Sequence, residues 1–392
     1  MKTTVEPLAK IDRLATLFND TCLYAIKQPV LAQDTQPVLA VTPVIESLFS
    51  RYQQLSKDQP NLRRREQGSI LNVPEAALID EQCGVESIRL LPDFSEIIHS
   101  LPSLGYIMTL TRNESAVHER KGVYSNISIK GPMGIVITDD RKIDLRIILS
   151  RWVMAFAVQE TLTNSMRYSL QFFDKSGVAI QKVYLQDQSD FSAYQKLVER
   201  FSHFVYSMPL QFIEKDKRPV YAESGLVDKQ KLQRKWLKMT NVHQFFGILK
   251  QHNISREQAF ELVGPPLAQR FDSKNFAILL ADIAKIDLSI MCFVGNHGNI
   301  QIHTGAIKKV KKVGPWLNIL DPEFNLHLLE DNITSAWVIK KPTVDGDVTS
   351  VELYDEEGET IVQIFGQRAE GQPENQQWRR LAEALVKKQD AA

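Results

Sequence analysis

The alternation of apolar and polar positions predicts strands in two stretches of closely matched design. From Ser169 to Tyr184 (SLQFFDKSGVAIQKVY) an alternating run stops at Asp174, turns at Gly177 and resumes as a second strand. From Ser350 to Phe365 (SVELYDEEGETIVQIF) the same happens around Asp355 and Gly358. Glycine at that place suits a residue with positive φ in a four-residue hairpin loop. The segment Asp139 to Leu149 (DDRKIDLRIIL) alternates toward its end, so Ile143, Leu145 and Ile147 face one way and Arg146 the other. Helical spacing replaces alternation from Met239 to His252 (MTNVHQFFGILKQH). There Val242, Phe245, Phe246 and Leu249 form the expected buried stripe, with Asn241 or Thr240 as N-cap. A following helix opens on the S-x-x-Q capping box Ser255 to Gln258 and is stopped by Pro265-Pro266. Gln376 to Lys387 reads as a closing amphipathic helix.

These elements belong to an internal repeat. IMTLTRNESAVHERKG, starting at Ile107, lies over IMCFVGNHGNIQIHTG, starting 183 residues later at Ile290. Gly131-Pro132 lies over Gly314-Pro315, Trp152-Val153 over Trp337-Val338, and Arg65-Glu66-Gln67 over Arg256-Glu257-Gln258. The expected fold class is α+β, with two tandem structural repeats, each a large antiparallel sheet packed with helices. The expected organisation is an N-terminal extension over 1–44, a first repeat over 45–213, a linker over 214–230 and a second repeat over 231–392. Two histidines break the repeat: His243 lies opposite Tyr52, and His118 opposite Gln301. Packing alone would tend to keep the copies alike, so such differences mark where function sits.

Composition narrows the classes. Apolar residues make up 43% and charged residues 24% of the 392, ample for a core. The 47 basic and 47 acidic side chains cancel, which leaves no global field toward nucleic acid or membranes. Basic clusters at Arg63 to Arg65, Lys229 to Lys238, Lys308 to Lys312 and Lys340-Lys341 lack aromatic interleaving, so no specific nucleic-acid role is expected. Cys22, Cys83 and Cys292 form no CxxC pair, which argues against a disulfide framework, a structural zinc site or covalent haem attachment. No apolar h-region opens the chain and no run approaches ~20 apolar residues, so a soluble cytoplasmic protein is expected. Walker A, GxGxxG, HExxH and GxSxG elements are all missing.

Three positions could carry chemistry. His243 lies beside the apolar stripe of its helix, and one turn later Gly247 leaves a bare patch where a planar ligand held by the imidazole would have clearance. The plainer alternative is a surface histidine with a glycine that eases packing, and on the residues alone it stands ahead. Arg256, thirteen residues on, could reach the same site from the next helix, or be an exposed first-turn arginine. Arg146 on the inner side of a sheet needs a carboxylate, a carbonyl or a bound anion. A salt bridge to Asp144 on its own face would serve equally.

The sequence resembles the haemin-degrading, or haemin-transport, proteins of the HemS/ChuS kind, from about Leu48 to the C-terminus. The resemblance is carried by Arg112-Asn113-Glu114, Ala116-Val117-His118-Glu119 and Ile143-Asp144-Leu145-Arg146. In the second copy it is carried by Thr240 to Phe246, Phe293 to Asn296, Gly314 to Ile319, Trp337-Val338 and Gly366-Gln367-Arg368. Two positions depart from the family pattern: Ile148 and Phe365 stand where an aromatic residue and a tyrosine are frequent, and Phe365 lacks the hydroxyl donor.

The resemblance implies non-covalent haem binding, with His243 as the axial ligand of haem iron and Arg146 on the opposite haem face. It also implies Arg256, Lys341 and Arg368 near the propionates, Phe246 and Gln363 as further haem-binding residues and His118 as ligand of a second haem. It further implies an activity that opens haem reductively with O₂ and an external electron donor to release iron. Arg146, always protonated, would donate hydrogen bonds to iron-bound oxygen. The alternative is a non-catalytic carrier that delivers intact haem. Implied partners are haem and the cytoplasmic side of an inner-membrane haem transporter, with the chain a monomer or weak dimer.

Overall fold

The repeat seen in the letters is also a repeat of hydrogen bonds. In the computed structural model, which describes residues 47–162, 165–202, 210–369 and 371–387, Asp174 Oδ1 accepts from the backbone N–H of Ser176 and Val178 at 2.9 and 2.8 Å. Asp355 Oδ1 accepts likewise from Glu357 and Glu359 at 3.0 and 2.9 Å. Gly177 and Gly358 turn each loop at φ +77° and +73°, a conformation that costs glycine little. The extension expected over 1–44 lies outside the described residues.

In chain order the first copy supplies helices α1 (Leu48–Asp58), α2 (Arg64–Leu71) and α3 (Glu75–Asp80), strand β1 (Ser87–Leu90) and helix α4 (Phe94–Ser100). Strands β2 (Gly105–Arg112), β3 (Ala116–Val123), β4 (Ile127–Lys130), β5 (Met133–Ile137) and β6 (Asp144–Ile148) follow. The copy closes with β7 (Met154–Leu162), β8 (Ser165–Phe173), β9 (Ala179–Ser189) and α5 (Phe191–Phe201). The second copy supplies α6 (Lys229–Leu237), α7 (Gln244–His252), α8 (Arg256–Val263), β10 (Ala268–Arg270) and α9 (Asn275–Lys285). Then come β11 (Ile290–Gly295), β12 (Asn299–Gly305), β13 (Val310–Val313), β14 (Trp316–Leu320) and β15 (Phe324–Leu329). Last are β16 (Ser335–Thr343), β17 (Gly346–Tyr354), β18 (Thr360–Gly366) and α10 (Gln376–Lys387). The fold class is as read: two large antiparallel sheets packed with helices.

The described residues divide into two compact units, each drawn from two stretches: those up to Gly105 with those from Leu149 to Lys215, and Tyr106–Ile148 with those from Asp216 onward. The boundary at 215/216 falls inside the expected linker, but residues 106–148 of the first copy belong to the unit of the second. The first unit holds the antiparallel run β1-β7-β8-β9. Its core packs Ala76 and Ile79 of α3 on Met154, Phe156, Val158 and Phe173.

The second unit shows why the first copy is divided. Strands β2-β3 continue into β15-β14-β13, and β11-β12 continue into β6-β5-β4. Each copy therefore lends three strands to the other. The shared core joins Leu317, Phe324, Leu326 and Leu328 with Cys292, Val338, Val351 and Ile364, closed by Leu280 of α9 and Trp378 of α10. Helices α6, α7 and α8 form a second cluster on the other face of β16 and β17, through Trp236, Phe245 and Phe260 against Trp337, Ile339 and Tyr354.

Candidate functional site

Residues directly opposite one another on antiparallel strands share a sheet face, and the register of the nine-stranded sheet in the second unit identifies that face. Arg146 on β6 opposes Ile300 on β12. Two residues on, Ile302 opposes Phe293 of β11, which opposes Gln363 of β18. Gln363 opposes Glu352 of β17, and Glu352 opposes Trp337 of β16. Trp337 is packed under α6, α7 and α8. Arg146 and the helix that follows His243 thus stand on one face of one sheet. Between them lie Met291, Phe293, Ile300, Gln363 and Phe365, all half-buried, with Phe293 and Phe365 edge to face at 5.1 Å. A cleft of about 600 Å³ opens at the strand ends, lined by Arg141, Met291, Thr304, Gln367 and Arg368 among others.

His243 caps α7 rather than lying inside it, a difference from the helix expected over Met239 to His252. The backbone N–H of His243 donates to Asn241 Oδ1 at 2.9 Å, and Gln244 Oε1 accepts from the Thr240 N–H at 2.9 Å. This polar turn holds the chain out of helix for the residues before Gln244. The segment is tied to the β16–β17 turn by the Val344 N–H donating to Thr240 O at 3.0 Å. The imidazole is exposed. The buried stripe also differs: it is Phe245, Ile248 and Leu249, while Phe246 is 72% exposed. Starting the helix at Gln244 fixes which residues turn inward, and Phe246 falls outside. No atom outside the helix's own backbone lies within 4 Å of where a Gly247 side chain would begin, so the bare patch expected there exists.

Arg256 and Lys341 are less accessible than the sequence suggested. Arg256 Nη2 donates to Glu352 Oε2 at 2.7 Å and Nε to the Tyr354 hydroxyl at 3.0 Å. Lys341 Nζ donates to Glu352 Oε1 at 2.9 Å. Ser350 and Tyr354 hydroxyls also donate to this carboxylate, at 2.7 and 2.5 Å. Burial alone would raise the Glu352 carboxyl, yet Arg256 and Lys341 hold it well below its ordinary range. Burial lowers the Lys341 ammonium, against the pull of Glu352. Two cations share one carboxylate, so the cluster carries a surplus positive charge, and both cations lie over the ring of Phe245 at 5.2 and 4.9 Å from its centre. Glu352 and Tyr354 were missed from the sequence. Their signal was present, since Gln171 and Phe173 stand at the corresponding hairpin positions of the first copy.

Arg146 donates to Asp144 and to Leu145 O, the latter at 3.2 Å. The alternative salt bridge is therefore present, while a third of the Arg146 side chain stays exposed. Arg368 is half-buried, 3.8 Å from Asp345.

The model of the haemin-degrading HemS.ChuX domain matches residues 72–201 and 253–385. The chain belongs to this family. It is 38% identical over 346 residues to the hemin transport protein HmuS of Yersinia pestis, covering 88% of this chain and 99% of that one. To HemS of Yersinia enterocolitica it is 37% identical over 347 residues, again 88% and 99%. Among solved structures it resembles holo-PhuS, a haem-binding protein of Pseudomonas aeruginosa, at TM-score 0.83 and 40% identity, covering 86% of this chain and 97% of that one. It also resembles ChuS of E. coli, described as a haem oxygenase, at TM-score 0.77 and 37% identity, covering 86% and 99%.

One site residue that the family resemblance implied is not on a surface at all. His118 is fully buried in the shared core of the second unit, its ring 4.9 Å from that of Phe324, on which His303 stacks at 3.8 Å. No ring nitrogen of either histidine has a hydrogen-bond partner among the described residues. Burial, with Arg120 nearby, pushes His303 down to about 3. Burial, His303 and Arg120 together hold His118 well below the usual range. His118 points between sheets because it opposes Thr111 and Leu326, both buried on the inner face. In this fold the His118 ring therefore presents no surface to a ligand outside the core.

Proposed function

We propose that this protein binds haem on the face shared by Arg146 and helix α7, and that it opens the bound haem with O₂ and electrons from an external donor, releasing iron in the cytoplasm. The observation that carries the reading is that shared face. An exposed imidazole, the exposed ring of Phe246 and the bare surface at Gly247 stand at the start of one helix. A half-exposed guanidinium stands on the sheet that the helix packs against. A planar tetrapyrrole with an iron centre and two carboxylates matches that set.

In this reading His243 would hold the haem iron through its imidazole. Arg146, a permanent hydrogen-bond donor, would stabilise negative charge developing on a ligand bound beside it. Gln363 and Arg368 would meet the propionates, while Arg256 and Lys341, held by Glu352, act on them through the surplus positive charge of their cluster, which with the two arginines at the cleft favours carboxylates over neutral edges. Phe246 covers a ring edge. The family membership and the similarity to ChuS support degradation. An inner-membrane haem transporter is the proposed source of haem, and the chain acts as a monomer or loose dimer.

The names of HmuS and HemS as hemin transport proteins favour a second reading, a carrier that passes haem on intact. One experiment tests both: the visible spectrum of the haem-loaded protein, followed in air after ascorbate and catalase are added. Decay of the Soret band with a rising verdohaem-like or biliverdin-like band supports the enzyme. A shifted Soret band that survives supports the carrier. No Soret shift on adding haem, or the same shift in His243→Ala, removes both.

A further inference from the structure

We propose that Asp144 is the positioning residue that fixes the Arg146 guanidinium over the haem face, and that Arg141 shares this carboxylate with Arg146 through its other oxygen. The inference rests on the reading of His243 and Arg146 just given.

Asp144 and Arg146 are two residues apart on β6, so both point from the same sheet face. The Asp144 side chain has no exposed surface, while Arg146 is 32% exposed. A carboxylate out of contact with water retains its donors strongly, because no solvent replaces a lost one. One oxygen of Asp144 takes Nη1 of Arg146, and the other takes Nη1 of Arg141 at 3.2 Å. The Leu145 carbonyl adds a second acceptor for Arg146 Nη1 at 3.2 Å. A free arginine side chain carries large rotamer entropy. Anchoring one end of the guanidinium removes much of that freedom beforehand. The other N–H groups of the fork remain for a ligand.

Arg141 comes from a different setting. Its turn is stiffened by Thr138, whose Oγ1 donates to Asp140 Oδ1 at 2.6 Å and accepts from the Ile143 N–H at 3.1 Å. Arg141 itself sits at φ +55°, its N–H donating to Thr138 O at 2.9 Å. Its side chain is half exposed and lines the cleft that Arg368 also lines. Being wet, it exchanges Asp144 for another anion at small cost. A carboxylate entering the cleft draws Arg141 away and leaves Asp144 to Arg146 alone. Carboxylate occupancy at the cleft and the placement of Arg146 are thereby coupled through one buried side chain.

The test is the C–O stretching band of the full chain loaded with haem, reduced and exposed to carbon monoxide, since that band reports a donor beside the ligand. Arg146→Ala gives the reference displacement. Asp144→Asn, of the same shape without the charge, is expected to move the band at least half way to that reference and broaden it. Its Soret maximum and haem stoichiometry, set by His243, should stay put. Arg141→Gln is expected to leave the band in place and narrow it. Asp144→Glu, which keeps the charge at a longer reach, is expected to recover part of the displacement, and it serves if the asparagine variant folds poorly. An unmoved band in both Asp144 variants, with Arg146→Ala displaced, overturns the proposal. So does an Arg141→Gln band that moves as Asp144→Asn does, because the two arginines would then be acting together. If Arg146→Ala itself leaves the band unmoved while haem is bound, the placement of Arg146 on the haem face falls, and this inference with it.

Discussion

Lys341 Nζ lies 2.9 Å from Glu352 Oε1 where neither side chain meets water, and Arg256 holds the other oxygen of the same carboxylate. Removing the one anion strands two cations. Breaking such a buried pair costs about 3–5 kcal/mol, so Glu352→Gln should lose about that much stability by urea unfolding of the haem-free protein. The surplus positive charge also makes propionates matter. Haem dimethyl ester, which lacks their charge, should bind about tenfold more weakly than haem, and Lys341→Met should shrink that ratio. An equal ratio in the variant would detach Lys341 from propionate recognition.

Phe246 and Gly247 make no contact that the fold needs. Gly247→Leu should not lower the unfolding free energy, since leucine is the better helix former by up to about 1 kcal/mol, while lowering haem affinity, because the new side chain occupies the patch beside His243. Phe246→Ser should weaken haem by about 1–2 kcal/mol through lost apolar contact. Spectral titration reads both. A haem affinity unchanged in both variants would place the ligand elsewhere.

Arg146→Ala should slow haem destruction about 10²-fold, the scale of losing one aligned donor to developing charge. Haem affinity should change far less, since His243 and the cations are untouched. The decay of the Soret band under ascorbate and catalase measures the first, titration the second. Equal losses in both would make Arg146 a binding residue only.

The histidine pair in the core predicts acid sensitivity. Both imidazoles are held below the ordinary value of about 6.5 in the folded chain, His303 down to about 3. The unfolded chain therefore takes up protons that the folded chain refuses. Their contribution to stability is complete above pH 6.5 and is lost as pH falls toward 3, by up to about 1.4 kcal/mol per pH unit for each imidazole. His303→Phe, which keeps a ring against Phe324, should flatten that slope. Denaturant midpoints measured between pH 4 and 7 provide the check, and an unchanged slope would shift the cause to other groups.

The sequence by itself determined the local design. The matched hairpins, their Asp and Gly turn residues, the Ser255 capping box, the closing helix and the turn of Arg146 away from Leu145 and Ile147 all follow from side-chain periodicity and cap chemistry. Those act over a few residues and are written in order along the chain. The stretches shared by the copies revealed the repeat for the same reason. Only the tertiary structure decided what depends on distant partners. Phe246 turned outward because the polar turn at Thr240 to His243 delayed the helix by several residues. His118 turned inward because β3 pairs with β15 of the other copy and aims that side chain between the sheets. Arg256 and Lys341 found a buried carboxylate on β17, some ninety-six and eleven residues away, which no local pattern announces. Most of all, Arg146 of the first copy joined the sheet under the His243 helix of the second through the exchange of β4, β5 and β6. Strand pairing is set by backbone hydrogen bonds between segments far apart in sequence, and every strand offers the same donors and acceptors. Which strand accepts which is settled only when the whole core closes.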